Sequence, residues 1–499
     1  MKILSASQIR ETDAYTIIHN NISSTQLMEN AAKACVQWIV ENFPKNNKII
    51  VFCGSGNNGG DGLAIARMLN QHKPSWASVY YIKSDLYSKD WTTQMEKSKD
   101  TTTPNHIINK TSDFPIIPTN AVIIDALFGT GLNRPLDGLH AALVEHINKE
   151  EKLCIAIDIP SGLFADTSST NSKSIVKATH TLSFEIAKLA FFLVENANFC
   201  GKWHLLNIGL NQSYIKACHS FYHSIDFNVL KKNYRHRVTF SHKGTYGHVC
   251  IVTGSHGKSG AAVLAGKACL KAGVGLLSYV VPSAVYQTVQ QCVNEAMVLE
   301  CSGNNYIEEI PIDTKYTYAI GPGLGQEKDT TNALLAFLRS QQKALVLDAD
   351  ALNIIAKEKA LSVIPKGSIL TPHPKEFERL FGKQQNDFER LKILRSQAMD
   401  LQCSIVLKGA YSCVALPNGK LFFNTTGNPG MASGGSGDVL TGIIAALLAQ
   451  SYKAEIATLM AVYLHGKAAD IAYTDGESYE SITASSLIKY LAPAFRSLY

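Results

Sequence analysis

The sequence lacks any run of about 20 apolar residues, the length that a membrane-spanning helix needs. Its first residues, Met1–Gln8, become polar at once and contain no apolar segment of the kind found in signal peptides. No Cys-x-x-Cys pair occurs among the 11 cysteines, and their wide spacing and apolar neighbours favour reduced, buried thiols. These absences predict a cytoplasmic protein that is not associated with a membrane.

The chain also has little net charge. Its 47 lysines and arginines and 41 aspartates and glutamates leave an excess of +6 over 499 residues. Such a small and widely spread excess argues against a nucleic-acid partner. Hydrophobic residues make up 46% of the sequence and charged residues 18%, which is the balance of a folded globular protein rather than a disordered one.

Short apolar runs alternate with helical patterns along the chain, which is typical of βα units and parallel sheets. In the first half, an amphipathic helix is predicted for Ser24–Asn42, and strands for Lys48–Cys53, Ala121–Asp125, Leu153–Asp158 and Thr181–Phe184. In the second half, strands are predicted for His248–Thr253, Leu276–Val281, Tyr316–Ile320, Ala344–Asp348, Ser368–Leu370, Ile405–Lys408 and Cys413–Leu416. The pattern therefore predicts an α/β protein with two halves.

A glycine-rich segment, 54–62, lies between a predicted strand and a helix predicted for Leu63–Asn70. Glycines let the backbone approach an anion, and a helix N-terminus directs free N–H groups toward it. The Gly-x-Gly-x-x-Gly spacing fits a dinucleotide-binding fingerprint, with Asp85 near the end of the next strand. Asn57, Asn58 and Asp61 also supply oxygen ligands suited to a hard cation. The residues alone leave both possibilities open.

Two further aspartates follow predicted strands in this half. Asp125 precedes the glycine-containing loop 128–135, and Asp158 precedes Ile-Pro-Ser-Gly. Because parallel sheets place such loops at one edge, three of them could enclose an anionic ligand, a cation and a free carboxylate. The alternative for any single aspartate is a helix cap.

Segments 57–62, 122–132 and 158–162 together resemble the NAD(P)H-hydrate epimerase domain, over about residues 1–215. The resemblance implies a Rossmann-like fold that interconverts the R and S epimers of hydrated NADH or NADPH. It implies substrate contacts from two loops and one strand end, namely Asn57, Asn58, Gly59, Gly60, Asp61, Gly129, Thr130, Gly131, Leu132, Asn133, Arg134, Pro135 and Asp158. It also implies potassium ligands, which are Asn58, Asp125 and Ser161. We expect Asp158 to transfer the proton.

A second glycine-rich segment, 434–437, precedes Asp438 and an apolar helix predicted for Ile443–Ala449. Backbone N–H groups at such a position can hold a transferring phosphoryl group. Asp438 can accept a hydroxyl proton there, and the alternative is an acid that complements the helix dipole. This arrangement resembles that of ribokinase-like kinases, in which the aspartate is the base and the glycines form the anion hole.

Five further motifs occur in order at 241–248, 254–262, 319–325, 347–352 and 370–376. With them, the second half resembles the NAD(P)H-hydrate dehydratase domain, over about 226–499, which leaves 216–225 as a linker. The resemblance implies substrate contacts from Ala262, Gly325, His373 and Asp438, with Asp438 as catalytic base. It implies nucleotide contacts from Lys408, Gly409, Ala410, Tyr411, Ser412 and Gly437, although Tyr411-Ser412 departs from the usual Gly-Thr.

The two halves in one chain are similar to the bifunctional NAD(P)H-hydrate repair family. That resemblance implies K⁺ in the epimerase domain, and Mg²⁺ with ADP as co-substrate in the dehydratase domain. The expected partners are the small molecules NADHX, NADPHX and ADP, and we expect a homo-oligomer. The alternative is a ribokinase-like vitamin or sugar kinase with a dinucleotide-binding regulatory domain, which would release a stable phosphorylated product.

Overall fold

The computed structural model describes residues 1–44, 47–99, 101, 103–301 and 303–499. These residues form two compact units. One unit contains 2–220 with 386–388, and the other contains Met1 with 221–385 and 389–499. No helix in the described ranges combines the length and the apolar composition that crossing a bilayer requires.

The first unit is an α/β layer structure. Its strands are β1 Lys48–Cys53, β2 Ala77–Ile82, β3 Asn105–Ile108, β4 Ala121–Ala126, β5 Leu153–Ile157, β6 His180–Phe184 and β7 Lys202–Leu206. Its helices are α1 Ala6–His19, α2 Ser24–Asn42, α3 Asn57–His72, α4 Lys89–Lys99, α5 Gly138–Lys149, α6 Ala197–Cys200 and α7 Gln212–Ala217.

The strands of the first unit form a parallel sheet in the order β3-β2-β1-β4-β5-β6-β7. Strand β1 therefore pairs with both β2 and β4, and the chain winds away from it in both directions. Ligands of doubly wound sheets bind at such a switch point, beyond the carboxyl ends of the strands. Two separate apolar cores cover the two faces of this sheet.

The second unit contains a larger sheet. Its strands are β8 Tyr222–Ser224, β9 His248–Val252, β10 Leu276–Val281, β11 Met297–Glu300, β12 Thr317–Ile320, β13 Val346–Leu347, β14 Ile369–Leu370, β15 Ser404–Leu407, β16 Cys413–Ala415 and β17 Leu421–Phe423. Its helices are α8 Phe227–Asn233, α9 Ser259–Lys271, α10 Ser283–Cys292, α11 Lys328–Ser340, α12 Ala349–Lys357, α13 Pro374–Phe381, α14 Asp387–Asp400, α15 Ser436–Ala449, α16 Ala454–Thr474 and α17 Ala484–Arg496.

This sheet has the order β11-β10-β9-β12-β13-β14-β15-β16-β17-β8. The pairs β15–β16 and β16–β17 are antiparallel, and the other pairs are parallel. The switch point lies between β9 and β12, so the loops after β9, β12, β13, β14 and β15 share one edge. The predicted α/β class with parallel sheets is confirmed.

Several predicted elements differ from the structure at their ends. Helix α3 begins at Asn57 rather than Leu63, although its first turn contains glycines that disfavour helix. Close packing explains these glycines, because a Cβ at Gly59 would lie 1.9 Å from the Gly54 carbonyl oxygen. Helix α15 likewise begins at Ser436, earlier than predicted. Part of the predicted linker, Tyr222–Ser224, is strand β8, which pairs with β17.

All 11 cysteines are unpaired, as the sequence predicted, and Cys292 is the exposed one among them. Ten of these thiols are buried or partly buried, so they pack as small apolar side chains rather than as cross-links.

Substituting Gly54 tests the close packing at the switch point. A Cβ at Gly54 would lie 1.9 Å from the Leu127 carbonyl oxygen, whereas one at Gly56 meets nothing within 4 Å. Because the obstructing atom is backbone, we expect Gly54→Ala to lower the free energy of unfolding by about 2 kcal/mol or more. Gly56→Ala is the control, and we expect a change below about 1 kcal/mol. Equal chemical-denaturation midpoints for the two variants would contradict this packing.

Candidate active sites

The buried amide of Asn58 lies at the start of α3 in the first unit. Neither its oxygen nor its nitrogen has a hydrogen-bond partner among the described residues. A Cβ at Gly129 would lie 3.5 Å from Asn58 Cγ and 3.2 Å from Asp158 Oδ2, so a glycine lets this loop close over both side chains. Buried polar groups normally have partners. An amide without them fits a bound ligand that would supply the missing contacts.

Asp125, at the end of β4, is fully buried and held by hydrogen bonds. Its Oδ1 accepts the Ser161 hydroxyl at 2.6 Å, and its Oδ2 accepts the Ser161 N–H at 2.8 Å. Burial raises the pKa of Asp125 to about 6, although these hydrogen bonds lower it. Ser161 Oγ also accepts the Phe128 N–H at 2.8 Å, which joins the loops after β4 and β5. Together these groups form a cluster of oxygen atoms below the glycine loop.

The carboxylate of Asp158, directly after β5, contacts a buried lysine. Lys188 is 1% exposed, and its ammonium pairs with Asp158 Oδ1 and lies 2.6 Å from Ser183 Oγ. The other carboxylate oxygen accepts the Thr130 N–H at 3.3 Å. The backbone of Asp158 has a φ of +67°, which an aspartate tolerates better than most residues. The ion pair and the hydrogen bond therefore hold Asp158 toward the glycine loop.

Two more carboxyl groups act on this centre. Burial, reinforced by the Asp158 charge, raises the pKa of Asp13 to about 7, while Lys188 lowers it. Burial and the charges of Asp158, Asp13 and Asp90 raise the pKa of Asp61 well above its usual range. Carboxyl groups with raised pKa values are typical of sites that perform general acid–base catalysis.

The structure brings together Asn58, Gly129, Thr130 and Asp158 of the residues proposed to bind the epimerase substrate. Gly59 and Gly60 lie in the first turn of α3, and Asp61 follows them directly in the same helix. The other residues proposed to bind this substrate lie nearer the surface. Leu132 is partly buried, and the exposed ones are Asn57, Gly131, Asn133, Arg134 and Pro135. These exposed residues have no described contact with Asp158.

The second candidate site lies at the N-terminus of α15. Gly435 precedes this helix with a left-handed φ of +88°, and Asp438 is in the first turn. Gly434 is exposed, and Ser436 and Gly437 are partly buried, so the loop is open to solvent. Burial and, to a smaller extent, the charge of Asp348 raise the pKa of Asp438 to about 6, while the charge of Lys408 lowers it.

An ion pair between a buried aspartate and a partly buried lysine lies next to this helix N-terminus. Lys408 Nζ contacts Asp348 Oδ1 at 2.8 Å, and Thr441 donates to Asp348 Oδ2 at 2.7 Å. A Cβ at Gly437 would lie 3.5 Å from Lys408 Nζ. The ammonium of Lys408 therefore lies close to the glycine-rich loop 434–437. Gly409 and Ala410 of that turn are exposed.

His373 is the N-cap of α13, and its ring accepts the N–H groups of Lys375 and Glu376. Its Nε2 lies 3.3 Å from Glu376 Oε1, and burial lowers the pKa of His373. Glu376 Oε2 lies 3.9 Å from Lys408 Nζ, which places His373 on the same edge as the ion pair.

Four other residues proposed to bind the hydrate or the nucleotide in this unit are Gly325, Ala262, Ser412 and Tyr411. Gly325 has a φ of +85° and donates its N–H to Asp350 Oδ2 at 2.9 Å. Ala262 is fully buried in α9. Ser412 closes the turn after β15 by hydrogen bonds of 3.1 and 3.2 Å to the Gly409 backbone. Tyr411 is partly buried in the same turn.

Sequence reasoning missed several charged groups of both sites. It named neither Asp13 nor Lys188, and it gave Asp348 and Glu376 no role although both stand in motifs that it quoted. It also omitted His465, which is buried in α16 with Nε2 at 3.3 Å from Ser436 Oγ. A signal existed for Asp348, because it directly follows the apolar strand β13. Lys188 follows β6 by four residues, without any motif.

Comparison with known proteins decides the family. The chain is 34% identical to the bifunctional NAD(P)H-hydrate repair enzyme of Moorella thermoacetica over 522 aligned residues, which span 100% of this chain and 97% of that protein. The chain belongs to the bifunctional NAD(P)H-hydrate repair enzyme family. A repair enzyme of Coxiella burnetii is 30% identical over 97% of both chains, and one of Escherichia coli is 31% identical over 89% of this chain.

Each unit of this repair-family protein also matches separately. The family model described as YjeF-related protein N-terminus matches residues 24–190, and the one described as NAD(P)H-hydrate dehydratase matches 249–493. A crystal structure of the ADP/ATP-dependent NAD(P)H-hydrate dehydratase of Bacillus subtilis, co-crystallised with ATP and Mg²⁺, is 32% identical with a TM-score of 0.50. It covers 56% of this chain and 99% of its own. The expected ribokinase-like fold of the second half is thereby confirmed.

Removing Lys188 tests the ion pair of the first unit. In this repair-family protein, Lys188→Met would leave the Asp158 charge without its buried partner. We expect the free energy of unfolding of the first unit to fall by about 3 kcal/mol. The double variant Lys188→Met/Asp158→Asn removes both charges and should regain part of that loss. Denaturant unfolding at neutral pH measures both, and a double variant less stable than the single one would contradict the pairing.

Proposed function

We propose that this chain repairs hydrated NADH and NADPH in two reactions. The first unit interconverts the R and S epimers of the hydrate, and the second dehydrates the S epimer with ADP, giving NAD(P)H, AMP and phosphate. The observation that supports this proposal best is that each unit has its own set of reactive groups. In one unit, Asp438 stands at a helix N-terminus that can bind an anion, and in the other, carboxylates cluster around Asp158. Two units with different chemistry are what a substrate with two epimers requires, because a stereospecific dehydratase leaves one epimer unused.

In the proposed epimerase reaction, Asp158 transfers the proton. Its carboxylate faces the glycine loop and is held by Lys188 and the Thr130 N–H. Asp13 and Asp61, whose pKa values are raised chiefly by burial, hold a proton more readily than ordinary carboxyl groups do. The carbon that bears the hydroxyl changes configuration by reversible ionisation or ring opening, and either route needs an acid and a base.

The oxygen cluster of the first unit fits a potassium ion. Asn58 offers an amide oxygen without partners, and Asp125 and Ser161 offer oxygens at the ends of adjacent strands. These three residues would hold the ion. When bound, K⁺ supplies a fixed positive charge beside the substrate.

In the proposed dehydratase reaction, Asp438 removes the proton from the hydroxyl of the hydrate. The hydroxyl oxygen then attacks the terminal phosphate of ADP, and AMP leaves. Backbone N–H groups of 435–437 and the Lys408 ammonium stabilise the charge on the phosphoryl oxygens. Loss of phosphate from the ester, driven by the ring nitrogen with release of a proton from the ring, restores the reduced nicotinamide.

Mg²⁺ is expected in this site because such sites bind it mainly through substrate phosphates and water. Two buried carboxylates near the proposed anion-binding loop 434–437, Asp348 and Glu376, lie within 4 Å of the Lys408 nitrogen. We therefore propose that the ion enters with the nucleotide, where it lowers the negative charge of the phosphates. His373 and Gly325 then contact the hydrate, whereas Ala262, which is fully buried, can only shape the site from below.

One assay distinguishes this proposal from a vitamin or sugar kinase. The chain is incubated with mixed R and S NADH-hydrate and with ADP, ATP or no nucleotide, and the products are identified by mass spectrometry. NADH with inorganic phosphate is the expected result, with ADP more effective than ATP. A stable phosphorylated product would support the kinase instead. The proposed homo-oligomer is tested separately, by light scattering.

Asp438→Asn tests the base of the dehydratase. We expect ADP-dependent formation of NADH to fall by at least about 10³-fold, because no other described carboxylate occupies the first turn of α15. The exchange between R and S epimers should stay at the wild-type rate, which serves as the internal control. Conversion within tenfold of wild type would remove Asp438 from the mechanism.

Asp158→Asn tests the proposed proton-transfer residue of the first unit, and here epimer exchange rather than dehydration should be lost. The amide keeps the shape of the side chain but cannot accept the proton, so we expect epimer exchange to fall by about 10²-fold or more. Dehydration of pure S-hydrate should be unaffected. Chiral chromatography of R-hydrate incubated without nucleotide measures the exchange, and an unchanged rate would contradict the assignment.

A further inference from the structure

The dehydratase site contains a buried aspartate that the sequence motifs did not assign. We propose that Asp348 is a positioning residue: it holds the Lys408 ammonium at the base of the anion-binding loop, beside Asp438. This inference rests on the proposed function, because it assigns a role within the phosphoryl-transfer step.

Both oxygens of Asp348 are fixed. The residue is 1% exposed and lies between the end of β13 and α12. Its Oδ1 contacts Lys408 Nζ at 2.8 Å, and its Oδ2 accepts the Thr441 hydroxyl at 2.7 Å. Thr441 is on α15, one turn after Asp438. The helix that carries the base therefore also fixes the carboxylate that holds the lysine.

Lys408 needs such a partner because its ammonium is attached to a long flexible stem. Among the residues that the structure describes, Glu376 also has a carboxylate oxygen within 4 Å of this nitrogen, at 3.9 Å. Burial alone would lower the pKa of Lys408, but the charges of Asp348 and Glu376 raise it overall, so the ammonium stays charged. Its nitrogen lies 3.5 Å from the position of a Cβ at Gly437. A phosphoryl group bound by the loop would be next to this charge.

Asp438 is affected by both members of the pair. Burial and the charge of Asp348 raise its pKa to about 6, and Lys408 lowers it. Glu376 and His373 lie beyond Lys408. His465 faces Ser436 from α16, and its pKa is lowered to about 4, chiefly by burial, so it is neutral. A base with a pKa near the working pH accepts a proton more effectively than an ordinary carboxylate.

The test is the pH dependence of kcat/KM for the hydrate at saturating ADP. Since Asp438 must be deprotonated, wild-type activity should fall as the pH drops through about 6. Asp348→Asn removes a charge that raises the pKa of Asp438. The acid limb of the pH profile, which is the pH range where activity falls on acidification, should therefore move down by roughly one pH unit, and kcat should fall about tenfold. Lys408→Met removes a charge that lowers it, so the limb should move up.

Thr441→Val is the second variant. It keeps the charge of Asp348 but removes one of its hydrogen bonds, so we expect a several-fold lower kcat with the acid limb in place. Asp475→Asn is the matched control, because Asp475 is an aspartate of the same unit that contacts Tyr490 outside the site. This control variant should change neither kcat nor the position of the acid limb of the pH profile.

A direct titration keeps the proposal testable if a variant is inactive. The carboxyl pKa of Asp438 is followed by NMR in protein labelled with ¹³C at aspartate, with Asp438→Asn giving the assignment. A lower value in Asp348→Asn supports the proposal. An unchanged limb and an unchanged titration, with only a lower melting temperature, would show a purely structural role and overturn it. Wild-type protein that makes no NADH with ADP would refute the proposed function, whereas the titration would still measure the coupling of Asp348 to Asp438.

Discussion

In each unit, a lysine with little access to solvent contacts an aspartate at the carboxyl edge of the sheet. The pairs are Lys188–Asp158 and Lys408–Asp348. Removing such charges from water costs several kcal/mol per ion, and the pair recovers this only when the geometry is good and the remaining oxygen also has a partner. Thr130 supplies that partner in the first unit and Thr441 in the second. The charges are therefore placed by the fold before any substrate arrives.

The parallel sheets make this placement possible. Strands β4 and β5 are neighbours, so Asp125 and Ser161 meet although 36 residues separate them along the chain. Gly54 then packs closely against the Leu127 backbone, and Gly129 packs against the side chains of Asp158 and Asn58. In the second unit, the helix N-terminus of α15 adds backbone N–H groups at this edge, beside the carboxylates of Asp348 and Asp438. One architecture thus positions the groups that we propose for proton transfer in one unit and for phosphoryl transfer in the other.

The sequence predicted the strongly patterned elements well. Ser24–Asn42 and Lys48–Cys53 have the predicted bounds because their apolar periodicity is strong. Helix α1 was missed since threonines, Thr12 and Thr16, occupy half of its buried face. The glycine loops and Asp438 were identifiable from motifs. Lys188 could not be identified in this way. Its contact with Asp158 arises because β5 and β6 are neighbours in the sheet, and no local sequence pattern indicates that adjacency.

Strand β8 has a consequence for how the second unit can be isolated. Its three residues pair with β17 and complete the outer edge of the ten-stranded sheet. A shortened protein that starts after Ser224 would expose the N–H and C=O groups of Leu421–Phe423. Bare strands of this kind recruit other chains and promote aggregation. The outer edge of the dehydratase sheet therefore depends on a segment that precedes the region matched by its family model.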